Sequence, residues 1–266
     1  MDKIVISLSN NNENRRNHIV HEFGKVGINF SFFDAVIPDH LENLSKKFNV
    51  DISNTRLTKG EIACLFSHLS IYFNMVEYNI SKLAIFEDDI YLSKFAKQVL
   101  NAIEKTHIPC GIIKLEKSLE YIKTSFLPIE SISFDQKYKL YKLRGPHLGS
   151  AGYIISNCMA RKIIEYYQNK GAKDPIDIVL FQEELTLNSN ILQIIPAICI
   201  QDFIKNPKNI TFKSLLEEER SKKYITSEYK KTRNILLRIL KEIIRPFKRT
   251  FIFLKKLKYK KVSFYE

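Results

Sequence analysis

The chain has 266 residues, 45% apolar and 27% charged, an ordinary globular composition with enough apolar residues for one large or two small domains around a sizeable core. Its formal charge of +13 suggests nucleic acid only until it is located: residues 220–266 carry 16 Lys+Arg against 3 Asp+Glu, while the 26 cations and 26 anions before them cancel. No window reaches the roughly 18 uninterrupted apolar residues of a membrane span, and the short apolar run at the start is too brief for a signal peptide.

Ile4 to Leu8 is a short apolar run that stops at the polar Ser9–Asn14, a strand followed by a loop. Arg15 and Arg16 open a segment in which Ile19, Val20, Phe23 and Val26 recur at helical spacing, with Gly24 and Gly27 loosening and ending it. A second strand is expected over 28–36. This order begins an α/β domain with a parallel sheet, whose ligands bind beyond the carboxyl ends of the strands. There Arg15 and Arg16 either meet phosphates or form a solvated first turn. Asp34, closing the second strand, either holds a ribose or base edge or caps a turn. Neither Gly-x-Gly-x-x-Gly nor a Gly-rich loop ending in Lys-Ser or Lys-Thr follows the first strand, which argues against dinucleotide oxidoreductases and P-loop enzymes.

After an irregular polar stretch over 38–56, Thr58 and Glu61 have capping-box spacing ahead of the stripe Ile62, Leu65, Leu69, Tyr72, Phe73 and Val76. Glu61 is thereby offered a structural role, and His68, inside the helix, is either a packed residue or a functional one. The next strand, Leu83–Phe86, runs straight into Glu87-Asp88-Asp89. In extended backbone Glu87 and Asp89 share a face and Asp88 takes the other, so two carboxylates converge with oxygens that suit Mg2+ or Mn2+. Alone, the triplet is equally a solvated strand end.

Phe95, Val99 and Ile103 mark a helix, and Cys110–Leu115 a buried strand; 117–140 is weakly ordered. The three glycines of Gly145–Gly152 suggest backbone passing close to a ligand before a strand, or a simple turn. A helix follows over 158–169. Asp174-Pro175 reads as N-cap and first residue of another, placing Asp177 in its first turn, and a last strand over 191–200 ends at Gln201-Asp202. The four cysteines, Cys64, Cys110, Cys158 and Cys199, are far apart with no Cys-x-x-Cys pair, the pattern of free thiols in a reducing, cytoplasmic compartment.

Glu217-Glu218-Glu219 opens a different composition. Ile235, Leu236, Ile239, Leu240, Ile243 and Ile244 form one stripe among Arg238, Lys241, Glu242 and Arg245, before Pro246 interrupts. A basic amphipathic helix of this kind suits an anionic membrane surface, each cation contributing about 1 kcal/mol near it. Packing on the body or a partner is the plainer alternative; nucleic acid is disfavoured by the neutral body and the lack of a nucleic-acid module.

The Arg pair after strand one, Phe33-Asp34-Ala35, Leu57-Thr58-Lys59-Gly60-Glu61 with Ser67-His68, Phe86-Glu87-Asp88-Asp89, Gly149-Ser150-Ala151-Gly152-Tyr153, Pro175-Ile176-Asp177 and Pro196 before Gln201 together resemble glycosyltransferase family 25, the lipooligosaccharide galactosyltransferases and their relatives. The likeness is greatest at the start and absent from the tail. It implies an α/β fold of GT-A type, a Rossmann-like mixed sheet flanked by helices, over residues 1–215; the composition shift sets 216–266 apart as the basic amphipathic helical tail. It also implies a metal-dependent inverting transferase that moves galactose from UDP-galactose, or in some relatives glucose from UDP-glucose, onto a lipooligosaccharide core acceptor in β-linkage. On this chain Mn2+ or Mg2+ would sit on Asp89, with Glu87 acting through water or the ribose. Donor contacts would come from Ser7, Leu8, Arg15, Asp34, Gly60, Lys114 and Asp88. Asp177 is the leading general base, Glu61 and His68 the alternatives, and His147 or Asp202 a third metal ligand. The enzyme would work at the cytoplasmic face of the bacterial inner membrane, held by its tail. A metal-dependent nuclease or nucleotidyltransferase and a non-catalytic membrane-bound interaction protein are the rival functions.

Overall fold

The computed structural model describes residues 1–9, 13–106, 110–132, 135, 137–182, 190–212 and 259–266. The expected opening is present: strand β1 (Lys3–Ser7), helix α1 (Glu13–Lys25) and strand β2 (Ser31–Asp34), with β2 parallel to β1. Helix α2 (Leu41–Phe48) fills the irregular stretch, and α3 (Lys59–Glu77) starts in a full capping box: Thr58 Oγ1 accepts from the Glu61 amide while Glu61 Oε2 accepts from the Thr58 amide at 2.8 Å. Strand β3 (Lys82–Glu87), strand β4 (Ile90–Leu92), helix α4 (Ala96–Glu104) and strand β5 (Gly111–Lys114) follow. The weakly patterned region holds three short strands, β6 (Tyr121–Lys123), β7 (Glu130–Ser131) and β8 (Lys139–Lys142). Strand β9 (Gly152–Ser156), helix α5 (Asn157–Lys170), helix α6 (Ile176–Phe181), strand β10 (Asn190–Ile195), strand β11 (Cys199–Gln201), the single turn α7 (Asp202–Lys205) and strand β12 (Tyr259–Lys261) complete the order.

Eight strands form one mixed sheet in the order β2-β1-β3-β9-β5-β10-β8-β7. β1, β2, β3, β5 and β10 run one way, and β9 lies antiparallel between β3 and β5. The carboxyl ends of the parallel set and the start of β9 therefore meet on one edge, where ligands bind in open α/β sheets. Alternation sorts the core: Leu83 and Ile85 of β3 pack with α3 and α5 on one face, and Ala84 and Phe86 pack with α1 and α4 on the other.

Four expectations change. The cysteines are not all free thiols: Cys110 and Cys158 form a disulfide, because β5 pairs with β9 and brings the residue before β5 beside the start of α5, with a Cα separation of 5.3 Å across 48 residues of sequence. Cys64 and Cys199 stand outside it. The single strand expected over 191–200 is two, since Pro196 has no amide to continue the ladder. The N-cap of α6 is Pro175, one residue later than expected, which leaves Asp174 to accept from the Tyr166 and Tyr167 hydroxyls through its side chain and carbonyl. The basic stripe at 233–245 lies outside the described residues, but the extreme C-terminus belongs to the body: β12 pairs antiparallel with β6, Val262 is buried, and the Ala197 amide donates to the Ser263 carbonyl at 2.8 Å. Among the described residues no helix is long and apolar enough to cross a membrane.

Candidate active site

The acidic triplet sits on the carboxyl edge of the sheet. Glu87 is the last residue of β3, and the chain turns through Asp88 and Asp89 into β4. The short sheet formed by β4 and β11 places Gln201 opposite Ile90, next to the turn. Gln201 Nε2 consequently donates to Glu87 Oε2 at 3.3 Å and to Asp89 Oδ1 at 3.3 Å, so these carboxylates converge, although Asp89 lies in the turn and not in extended strand. Asp88 points elsewhere and is ion-paired to Arg15. Ser150, just before β9, donates to Glu87 Oε1 at 2.7 Å.

The electrostatics of the converging pair are unfavourable as they stand. Burial, and then the Asp89 charge beside it, push Glu87 up to about 8; burial pushes Asp89 up to about 6 against the pull of Arg15. Two desolvated carboxylates sharing one amide offer hard oxygens of the kind that fit Mn2+ or Mg2+.

Behind this platform, Lys114 at the end of β5 forms an ion pair with Glu116, both side chains fully buried. Lys114 Nζ also donates to the Gly149 carbonyl and, at 3.3 Å, to the Leu148 carbonyl, while Glu116 Oε2 accepts from the Ala151 amide at 3.1 Å. Gly149 has φ +100, and a Cβ there would run into Glu116 Oε1. Its amide donates to Asp177 Oδ2 at 3.2 Å, and Asp177 Oδ1 accepts from the Ile178 amide at 3.0 Å. One glycine thus ties the buried ion pair to the first turn of α6.

The family model for glycosyltransferase family 25 (LPS biosynthesis protein) matches residues 1–180. The chain belongs to glycosyltransferase family 25. The lipooligosaccharide biosynthesis protein lex-1 of Haemophilus influenzae is 32% identical over 286 residues, covering 94% of this chain and 92% of the relative. The lipooligosaccharide biosynthesis protein lic2B of the same species is 31% identical over 243 residues, covering 88% of each. The lacto-N-neotetraose biosynthesis glycosyltransferase LgtB of Neisseria gonorrhoeae is 30% identical over 237 residues, covering 83% and 82%.

In this family 25 chain the expected donor contacts divide. Arg16, not Arg15, ties the ends of β1 and β2 together: it is ion-paired to Asp34 and donates to the Leu8 and Ser7 carbonyls at 3.1 and 3.3 Å. Arg15 and Asp88 neutralise each other beside the Glu87 and Asp89 carboxylates. Gly60 lies in the first turn of α3, and Lys114 is enclosed behind the Gly149 loop. Of the base candidates, Asp177 stands at the edge, whereas the Glu61 carboxylate is engaged in its capping box. His68 is fully buried, held down to about 3 by desolvation, and bonded through Nδ1 to Tyr153 Oη at 2.6 Å. The suggested third ligands are occupied: His147 Nε2 accepts from the Ser118 and Leu119 amides, and Asp202 accepts from Tyr91, Asn206, Thr211 and Phe212. Glu116 reads in sequence as an ordinary charge after a strand; only the Gly149 loop closing over it shows its place.

Proposed function

We propose that this enzyme is a metal-dependent, inverting hexosyltransferase that moves galactose from UDP-galactose in β-linkage onto a lipooligosaccharide core acceptor. The convergence of Glu87 and Asp89 under Gln201 carries this reading. A divalent cation bound there would supply Lewis-acid stabilisation of the charge that develops on the departing diphosphate. Gln201 and Ser150 orient the two carboxylates, Arg15 holds Asp88 out of the way, and Arg16 with Asp34 shapes the loop after β1 where the nucleotide would lie. Asp177 takes the proton of the acceptor hydroxyl as that oxygen bonds to the anomeric carbon and UDP leaves from the opposite face. The acceptor class is supported by the names of the lipooligosaccharide biosynthesis relatives. The donor sugar rests on the family resemblance, and a panel of UDP-galactose against UDP-glucose decides it.

The test is thermal stabilisation by UDP with Mn2+, together with turnover of UDP-galactose. Asp89→Ala is expected to remove both, and a protein indifferent to UDP and Mn2+ would refute the reading. We further propose that the stripe over 233–245 holds the enzyme at the anionic inner face of the bacterial inner membrane. Because β12 belongs to the body, the suitable variant exchanges Arg233, Arg238, Lys241 and Arg245 for glutamate instead of truncating the chain. Unchanged sedimentation with anionic liposomes would sink this proposal.

A further inference from the structure

Helix α3 enters the core with Cys64 and His68 four residues apart, hence on one face of the helix. That face looks onto the end of β3, where ligand atoms from Cys64, His68 and Glu87 all lie within 4.8 Å of one another. His68 is fully buried, and its Nε2 has no hydrogen-bond partner among the described residues, while Nδ1 is bonded to Tyr153 Oη, itself bonded to Tyr72 Oη. In the tautomer whose Nδ1 donates to Tyr153, Nε2 keeps its lone pair; this is how a metal-binding histidine is held, one nitrogen fixed by a neighbour and the other offered to the ion.

We propose that Cys64, His68 and Glu87 form a second, soft metal site, for Zn2+ or Cd2+, that shares Glu87 with the Mn2+ platform. A thiolate and an imidazole select a softer ion than the oxygens of Glu87 and Asp89 do. Three protein ligands with a fourth position open is an ordinary zinc arrangement, with ligand distances of about 2.0–2.3 Å. Three ligand atoms around one ion stand about 3.3–3.8 Å apart, so the cluster contracts by roughly 1 Å on binding. The thiol proton leaves to solvent as the Cys64 sulfur bonds the ion, and neutral His68 has none to lose. The consequence is antagonism: an ion on Cys64 and His68 draws Glu87 away from the platform, so Zn2+ inhibits a reaction that Mn2+ supports. The site itself does not depend on the proposed transferase chemistry; only this antagonism does.

Cobalt is the probe. Protein titrated with Co2+ in the presence of saturating Mg2+ is expected to develop a thiolate-to-cobalt charge-transfer band that Zn2+ bleaches. Cys64→Ala, at a half-buried position outside the catalytic set, is expected to abolish the band, weaken Zn2+ by more than about tenfold, and leave Mn2+-supported turnover unchanged but resistant to Zn2+. Cys64→His is expected to restore Zn2+ affinity without the thiolate band. Zn2+ affinity unchanged in Cys64→Ala, or no thiolate band in the parent protein, would overturn the proposal. The readings fail separately: a cobalt band that survives in a protein indifferent to UDP and Mn2+ upholds this site and rejects the donor platform.

Discussion

Replacing Lys114 by methionine removes the ion-pair partner of a carboxylate that has no access to water, and the structure sets the size of the loss. Both side chains of the Lys114 and Glu116 pair are fully buried. Burial drives Lys114 down and Glu116 up, and each is pulled back chiefly by the other. Breaking such a pair from one side costs about 3–5 kcal/mol, since the remaining charge stays desolvated and unpaired. At roughly 2–4 °C per kcal/mol for a domain of this size, the melting temperature falls by about 10 °C. The pH dependence has a definite sign. Without the lysine, the Glu116 carboxyl titrates in the folded state well above its unfolded value, so the stability it allows is present below the unfolded carboxylate range and is lost as pH rises through the folded value. The Lys114→Met deficit therefore shrinks in acid. A second change, Glu116→Gln, removes the stranded charge and keeps an acceptor for the Ala151 amide, and the double variant should return to within about 2 kcal/mol of the parent. Urea unfolding of the four proteins of this cycle, at two pH values, measures all of this. A single-variant loss below about 1 kcal/mol, or a double variant no better than the single, would show that the pair is not the buried tie described here.

Three other outcomes are expected. Gly152→Ala puts a Cβ onto Cys199 Sγ, with Phe86 Cδ1 at 3.3 Å, and should cost about 1–3 kcal/mol in thermal unfolding; most of that should return in Gly152→Ala with Cys199→Ala, and no return would place the clash elsewhere. Because Glu87 and Asp89 are raised to about 8 and 6, the metal-free protein should lose stability as pH rises through 6 and on toward 8, while the stabilisation conferred by Mn2+ grows over the same window as the oxygens deprotonate; a pH-independent Mn2+ shift would contradict the assignment of these carboxylates. Reducing the Cys110–Cys158 bridge, which closes 48 residues, should cost up to about 4 kcal/mol, and thiol titration of the denatured protein before and after reduction should detect the appearance of the two bridge thiols.

Much of the frame was legible because it rests on local pattern. The apolar runs of β1 and β3, the stripe of α3 and its Thr58–Glu61 capping box each declare themselves within a few residues, and the alternation of Glu87, Asp88 and Asp89 gave the correct division of partners although the strand ends at Glu87. What stayed hidden depends on which strands become neighbours. Nothing near Cys110 points to Cys158 until β9 lies beside β5. Arg15 and Arg16 are adjacent in sequence, but one helical step of about 100° sends the first to Asp88 and the second to Asp34. Only the pairing of β4 with β11 shows that Gln201 is the amide between two carboxylates.

The insertion of β9 between β3 and β5 explains why so many of the candidate residues share one edge. Running against its neighbours, β9 begins where they end, so the loop that feeds it, Leu148 to Ala151, must cross the carboxyl edge beside Glu87 and Lys114. That crossing is stable only if the loop's backbone groups find partners, and Lys114, Glu116 and Asp177 supply them while Ser150 reaches Glu87. Lys114, expected from sequence to touch the donor, is thus enclosed by the loop that Glu116 and Asp177 also hold. Its charge holds Gly149 in place, and with it Ser150, so Lys114→Met should disturb the Glu87 carboxylate and the first turn of α6 together, in proportion to the stability it removes.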